Sequence, residues 1–320
     1  MFFVNVPIGA GGLALAARFL PSPPRRPHGT DIAGQLVCVA CLGGLTVALI
    51  EAGSSGWASP VVVAIGLVAF VVAGAAFVAI EHRVGHPMLA MGLFSSPTFS
   101  SATAVGLLIN LGFSGELFVM SLYLQQIRGF TPLRTGVALT PELAMAVVGS
   151  AASGRITARN GPRIPMLVGL VVGGAGLASL ASFGAHSSYW ELVAPFMAAG
   201  LGMSLVMPAA TSAVMEAAPP ERGGLASGTL NAARQVGGVI GVALLGTLVA
   251  HKSAFVVGLR TGMLIAGGVF ALGAILTALF VERTHRAMST TPARPSPSSC
   301  RDTPDHTGVV PGRRRPPPGT

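Results

Sequence analysis

Charge is what this sequence has least of. Asp, Glu, Lys and Arg make up 10% of its 320 residues, against about 25% in a soluble domain. With 51% hydrophobic residues and a mean hydropathy of +0.69, an ordinary soluble globule is excluded and a lipid environment indicated. Acid is scarcer than base, 11 residues against 20, leaving a net charge of +9. The basic residues sit in short gaps between apolar runs and in the C-terminal tail, so no folded basic face can track a phosphate backbone. Nucleic acid is therefore excluded as a partner, and an anionic membrane leaflet accounts for the charge instead. Cysteine is nearly absent. Cys38 and Cys41 form a C-x-x-C inside an apolar run with no second pair and no nearby histidine, and Cys300 stands alone. Zinc and redox chemistry thus give way to two small residues in a membrane helix. The chain has no G-x-x-x-x-G-K-[ST] loop, no H-E-x-x-H and no G-x-S-x-G elbow, and its seven histidines are scattered. ATP-driven work and the common hydrolytic chemistries are excluded, and we expect no enzyme, no metal and no cofactor.

What the chain does have is glycine, 43 residues of it, and long apolar runs. Glycine would fill soluble helices poorly but lets helices approach closely in lipid. About nine runs have spanning length, near 2–20, 33–50, 60–80, 99–122, 135–154, 165–183, 190–214, 225–250 and 258–281. The first has no basic stretch before it and no cleavage site, so it does not read as a signal peptide. With the N-terminus outside, the inner loops hold Arg18, Arg25, Arg26, Arg83, Arg155, Arg159, Arg163 and Arg222. The outer loops hold Arg128, Arg134, Lys252 and Arg260. Eight against four places the C-terminus inside. Trp57, Tyr189 and Trp190 fall at outer interfaces, where amphipathic rings prefer to sit. From about Arg283 the chain turns to Pro-rich sequence with almost no large apolar residues, which reads as a solvated cytoplasmic tail.

Five motifs in series then carry a family resemblance. They are Phe3-Val-Asn-Val-Pro-Ile-Gly9; His86-Pro-Met-Leu89 with Leu93, Phe94, Thr98 and Phe99; Tyr123-Leu-Gln-Gln126 with Gly129-Phe-Thr-Pro-Leu133 and Gly136; Ser153-Gly-Arg155 with Gly161-Pro-Arg163; and Gly224-Leu-Ala-Ser-Gly228 with Asn231, Arg234, Gln235, Gly237, Gly238 and Gly241. In order and spacing the chain resembles the later spans of fourteen-span drug:proton antiporters of the major facilitator superfamily. The resemblance implies an all-α membrane protein whose nine helices correspond to spans six to fourteen. Residues 1–20 would be a partial sixth span and 21–97 a linker with two extra helices. Residues 98–282 would be a complete C-terminal six-helix bundle and 283–320 a disordered cytoplasmic tail. The N-terminal bundle would be mostly missing.

Single residues add candidates. Glu116 lies inside an apolar run, six residues before Leu122, where an ionisable group is costly and functional by default. It reads either as a protonatable group or contact for a cationic substrate, or as a carboxylate that reaches the outer mouth or pairs with Arg128 or Arg134. Gly112, Glu116 and Met120 share one stripe and Asn110 lies off it. Glu142, just after Pro141, is expected to face water at a helix end. Ser227, Asn231, Arg234, Gly238 and Gly241 recur at helical steps and should look into the bundle. There Arg234 and Gln235 either shape a pathway or tie helices together. The resemblance makes Arg155, Gly161 and Arg163 a gating loop in which arginines cap a neighbouring helix's carbonyls. Ala158 stands where the family carries an acid, which favours plain positive-inside anchoring. Phe113, Phe118, Met120, Met145, Met203 and Met207 suit an adaptable apolar cavity or simply a core.

The reading is a multi-pass plasma-membrane transporter, exporting drugs or other small molecules against protons. Its partners would be a small-molecule substrate, protons and the lipid bilayer, with a first bundle or a second copy supplied from elsewhere. The alternative of a different class is a membrane remnant or accessory subunit that only packs against another membrane protein.

Overall fold

The computed structural model describes residues 60–83, 91–184, 187–250 and 254–282, with single positions between 7 and 48. Most of the first apolar run, Cys38, Trp57, the His86 motif, Lys252 and the tail from 283 lie outside the described residues. Within them every regular element is helical: α1 (Pro60–Arg83), α2 (Pro97–Leu122), α3 (Pro132–Ala138), α4 (Thr140–Asn160), α5 (Arg163–Leu180), α6 (Tyr189–Ala217), α7 (Gly223–Leu248) and α8 (Phe255–Phe280). Among the described residues, five helical segments are long and apolar enough to cross a membrane: Pro97–Ile127, Pro132–Asn160, Arg163–Leu180, Tyr189–Ala217 and Phe255–Phe280. α7 is long enough at 26 residues but is not among them, because Asn231, Arg234, Gln235 and a run of glycines dilute its apolar content.

Local sequence chemistry sets the helix ends. Ser96 caps α2 by accepting from the Phe99 N–H at 3.4 Å, with Pro97 opening the first turn. Thr131 and Pro132 repeat that device at α3. Ser188 and Glu191 form a capping box at α6, the Glu191 carboxylate accepting from the Ser188 N–H at 3.2 Å. α2 does not stop at Leu122 but runs on through a π-helical turn, Tyr123–Ile127. Gly161 ends α4 at φ 79°, ψ 172°, backbone that is essentially reserved for glycine.

Packing follows the small residues. α2 lies along α7 and also touches α8 and α6; α4 and α5 both pack on α6; α8 packs on α5. Gly237 and Gly241 of α7 put their backbone directly on the Leu107 and Leu111 carbonyls of α2, where a Cβ would overlap. Phe270 of α8, fully buried, is keyed into a slot made by Gly112 of α2 and Gly173 and Gly174 of α5. Ser153 donates to the Leu205 carbonyl at 2.6 Å and Ser204 to the Met145 carbonyl at 3.2 Å, which stitches α4 to α6. The core is therefore aromatic knobs and methyls set between glycine-lined backbones, with Phe99, Tyr123, Phe196, Phe255 and Phe270 all buried. α1 makes a similar contact with the stretch around Gly44 and Ala48, where a Cβ on Gly66 would lie 2.7 Å from the Ala48 methyl. The Cys41 thiol donates to the Phe70 carbonyl at 3.4 Å across the same contact.

Candidate functional site

α7 divides into two faces. Ala226, Thr229, Leu230, Gly237, Gly241 and Leu245 are buried. Ser227, Asn231 and Gln235 are exposed, and nothing comes within 4 Å of the Cβ positions of Gly224 and Gly228 beside them. The stripe expected to look inward is thus split: its Gly241 end packs, and its Ser227–Asn231 end lies on an open face. Arg234 sits at the border. Its guanidinium donates to the Met207 carbonyl at 2.8 Å and to the Thr211 hydroxyl at 2.9 Å, bridging α7 to α6. The arginine stem crosses Gly106 of α2, and the Asn110 amide donates to the Gly106 carbonyl at 3.0 Å within the same turn. Of the two roles open to Arg234, the structure displays the tie between helices. Asn231 and Gln235 are left facing outward beside it, where contact with lipid would leave polar groups unpaired.

Glu116 is fully buried and deeper than its run suggests. Because the helix continues to Ile127, its C-terminal end is eleven residues on, about 16 Å along the axis. Neither arginine proposed to pair with it does so. Arg128 donates to the Ser187 carbonyl, and the Arg134 guanidinium lies 4.0 Å over the Phe130 ring. The expectation that Glu142 faces water is also corrected, since Glu142 has no exposed surface. Its backbone is pressed against Gly200 of α6, and its carboxyl group meets that of Glu116 side chain to side chain. No N–H or O–H of another described residue reaches any of the four oxygens.

At the other end, Gly161 turns the chain so that Arg163 donates to the Ala278 carbonyl in the last turn of α8. That is the carbonyl-capping geometry expected of this loop. Arg155 is exposed and does not join it. Of the apolar candidates, Met120 and Met203 are core, Phe113 and Met207 are half-buried, and Phe118 is 39% exposed.

Glu142 is the residue that sequence reasoning missed. A clue was present: Glu142, Gly149 and Ser153, the buried residues of α4, recur at seven- and four-residue steps and so share a face. A small-residue stripe marks a helix-packing face, and Glu142 lies on it. Two tyrosines were also underread. Tyr123 donates to the Gly184 carbonyl at 2.7 Å, and Tyr189 to the Ala138 carbonyl at 2.9 Å, so both hold loops and helix ends together while Trp190 stays 79% exposed.

Comparison with known proteins matches residues 102–317 to the Major Facilitator Superfamily. The chain is 32% identical over 295 residues to the methylenomycin A resistance protein of Streptomyces coelicolor, covering 92% of this chain and 62% of the relative. It is 33% identical to the tetracenomycin C resistance and export protein of Streptomyces glaucescens, covering 79% and 47% respectively. Against the puromycin resistance protein of Streptomyces alboniger it is 32% identical, covering 92% and 63%. The chain therefore spans about half to somewhat under two thirds of the length of these relatives.

Proposed function

The chain belongs to the major facilitator superfamily, and on that premise we propose that it serves in proton-coupled export of drugs or other small molecules across the cell membrane. In this reading the chain is of the fourteen-span type and corresponds to spans six to fourteen. Residues 1–20 contribute to the sixth span, 21–97 carry the two extra helices, and 98–282 form the second six-helix bundle. Residues 283–320 form a cytoplasmic tail. The names of the relatives, each a resistance or export protein, favour this over a membrane protein that only packs against another.

The observation that carries the proposal is the open polar face of α7. Asn231 and Gln235 project from the bundle with no described partner, on the face of α7 that the described neighbours leave uncovered. In lipid such groups are costly, so the face belongs against water or protein. Transporters of this kind bind at the interface of two bundles that rock against each other, and this face suits one wall of that pathway. Arg234 fixes the wall to α6, and Asn110 stands one turn from where its stem crosses α2. At the inner end Gly161 and Arg163 latch α4–α5 onto α8, and Arg155 is exposed.

The test is proton-driven efflux from proteoliposomes. Residues 1–320 are assayed alone and together with the first five spans of the Streptomyces coelicolor relative. We expect export only in the second case, and its loss when Asn231 and Gln235 are replaced together by Leu. Vigorous export by the chain alone overturns the need for a first bundle and means that two copies assemble the pathway. Export indifferent to the double replacement overturns the pathway wall.

A further inference from the structure

Two carboxyl groups that meet away from water face a constraint of stoichiometry. A hydrogen bond between them exists only while a proton lies between them, because two carboxylates offer acceptors and no donor. Glu116 and Glu142 meet this condition, with no exposed surface on either residue and no outside donor among the described residues on any of their four oxygens.

The charges on the described residues do not relieve it. α2 carries no other ionisable group between Pro97 and Leu122. On α4 the remaining charges, Arg155 and Arg159, lie at the opposite end and are exposed. α6 offers Glu191, which caps its own first turn, and Glu216, exposed near the far end. On α7, Arg234 is engaged with Met207 and Thr211. On α8, Arg260 is exposed. From the adjoining loops Arg128 is committed to Ser187 and Arg134 to Phe130. The two nearby phenols, Tyr123 and Tyr189, donate to the Gly184 and Ala138 carbonyls.

We propose that Glu116 and Glu142 form a one-proton site that clasps α2 to α4. Occupied, it is a carboxylic acid hydrogen-bonded to a carboxylate, with one net negative charge. Emptying it breaks a single O–H bond, passes the proton to water, and leaves two carboxylates in mutual repulsion that favours separation of the helices. The span containing α4 is suited to respond, because Pro141 interrupts its hydrogen-bond ladder immediately before Glu142. That the proton serves coupling rests on the exporter reading; its presence does not.

Infrared spectroscopy of the 320-residue chain in lipid vesicles tests the site without any transport. At neutral pH the protonated-carboxyl C=O stretch should integrate to one group per chain and shift to lower frequency in D2O. Glu116→Gln and Glu142→Gln should each remove or displace that whole band, and the double variant should leave no protonated-carboxyl band at all. A wild-type spectrum with no such band, or with one that both single variants leave unchanged, overturns the proposal. So do two bands that the single variants delete independently. Should the glutamine variants fail to fold, carbon-13 glutamate labelling of the wild type still counts the protonated groups, and any count other than one is refuting. Loss of efflux in the complemented transporter with the infrared count intact would sink the exporter reading alone.

Discussion

Replacing Gly241 with alanine tests the packing logic on which the α7 wall rests. The new Cβ would lie 2.7 Å from the Leu111 carbonyl carbon and 2.8 Å from its Cα, against about 3.5–4.0 Å for comfortable carbon–carbon contact. The obstacle is the backbone of α2, which has no rotamer to change, so α2 and α7 must move apart by about 1 Å. Overpacking of this sort costs about 1–3 kcal/mol, while alanine regains about 0.8–1 kcal/mol of helix propensity. Gly228 supplies the matched control, since nothing lies within 4 Å of its Cβ position and only the propensity gain applies. Unfolding of the purified chain in mixed micelles should therefore place Gly241→Ala about 1–3 kcal/mol below Gly228→Ala. Equal stability of the two variants would refute the claim that α7 is seated backbone-to-backbone on α2.

Arg234→Met keeps the apolar stem but removes the donors to Met207 and Thr211, and should cost about 2–4 kcal/mol in the same assay, with Lys recovering only part. Gly161→Ala forces a side chain onto φ 79°, ψ 172° backbone and should cost about 1–3 kcal/mol; a thermal midpoint unchanged from the wild type would contradict that turn geometry. Single cysteines at Ser54 and Ser187 should react with an impermeant maleimide from outside the cell, and cysteines at His86 and Asn160 only from inside. Labelling of both sets from one side would refute the arginine-derived orientation.

The helices were legible because lipid imposes a coarse rule, about twenty apolar residues per crossing, and the runs near 99–122, 165–183, 190–214 and 258–281 correspond closely to α2, α5, α6 and α8. Their edges were less so. Tyr123–Ile127 continues α2 by a π turn, which hydropathy does not register, and that extension is why Glu116 lies deeper than expected. Arg234 was legible as an interhelical tie because a guanidinium inside a bundle must find carbonyls. The partner of Glu116 was not, because polarity alone assigns a glutamate beside a proline at a helix start to water. Only the stripe of Gly149 and Ser153 places Glu142 inward, and Gly200 of α6 supplies the space it occupies. Sequence periodicity identifies a face; which helix covers that face is a property of the assembled bundle.

The shortage of apolar residues in α7 bears on how the protein is made. An arginine near the middle of a segment opposes its partition from the translocon by about 2.5–3.5 kcal/mol, and α7 is not among the helices apolar enough to cross on composition. Its seat is on α2, while Arg234 bonds to α6. α2 leaves the ribosome before α4, α5 and α6, and α7 comes after all of them. Membrane integration of α7 is therefore cooperative with helices already delivered, and α2 must stay close to the exit site, with its Leu107–Leu111 surface uncovered, until α7 emerges. A lesion on α2 would then show itself during biosynthesis as a misrouted α7, before any mature protein existed to be assayed.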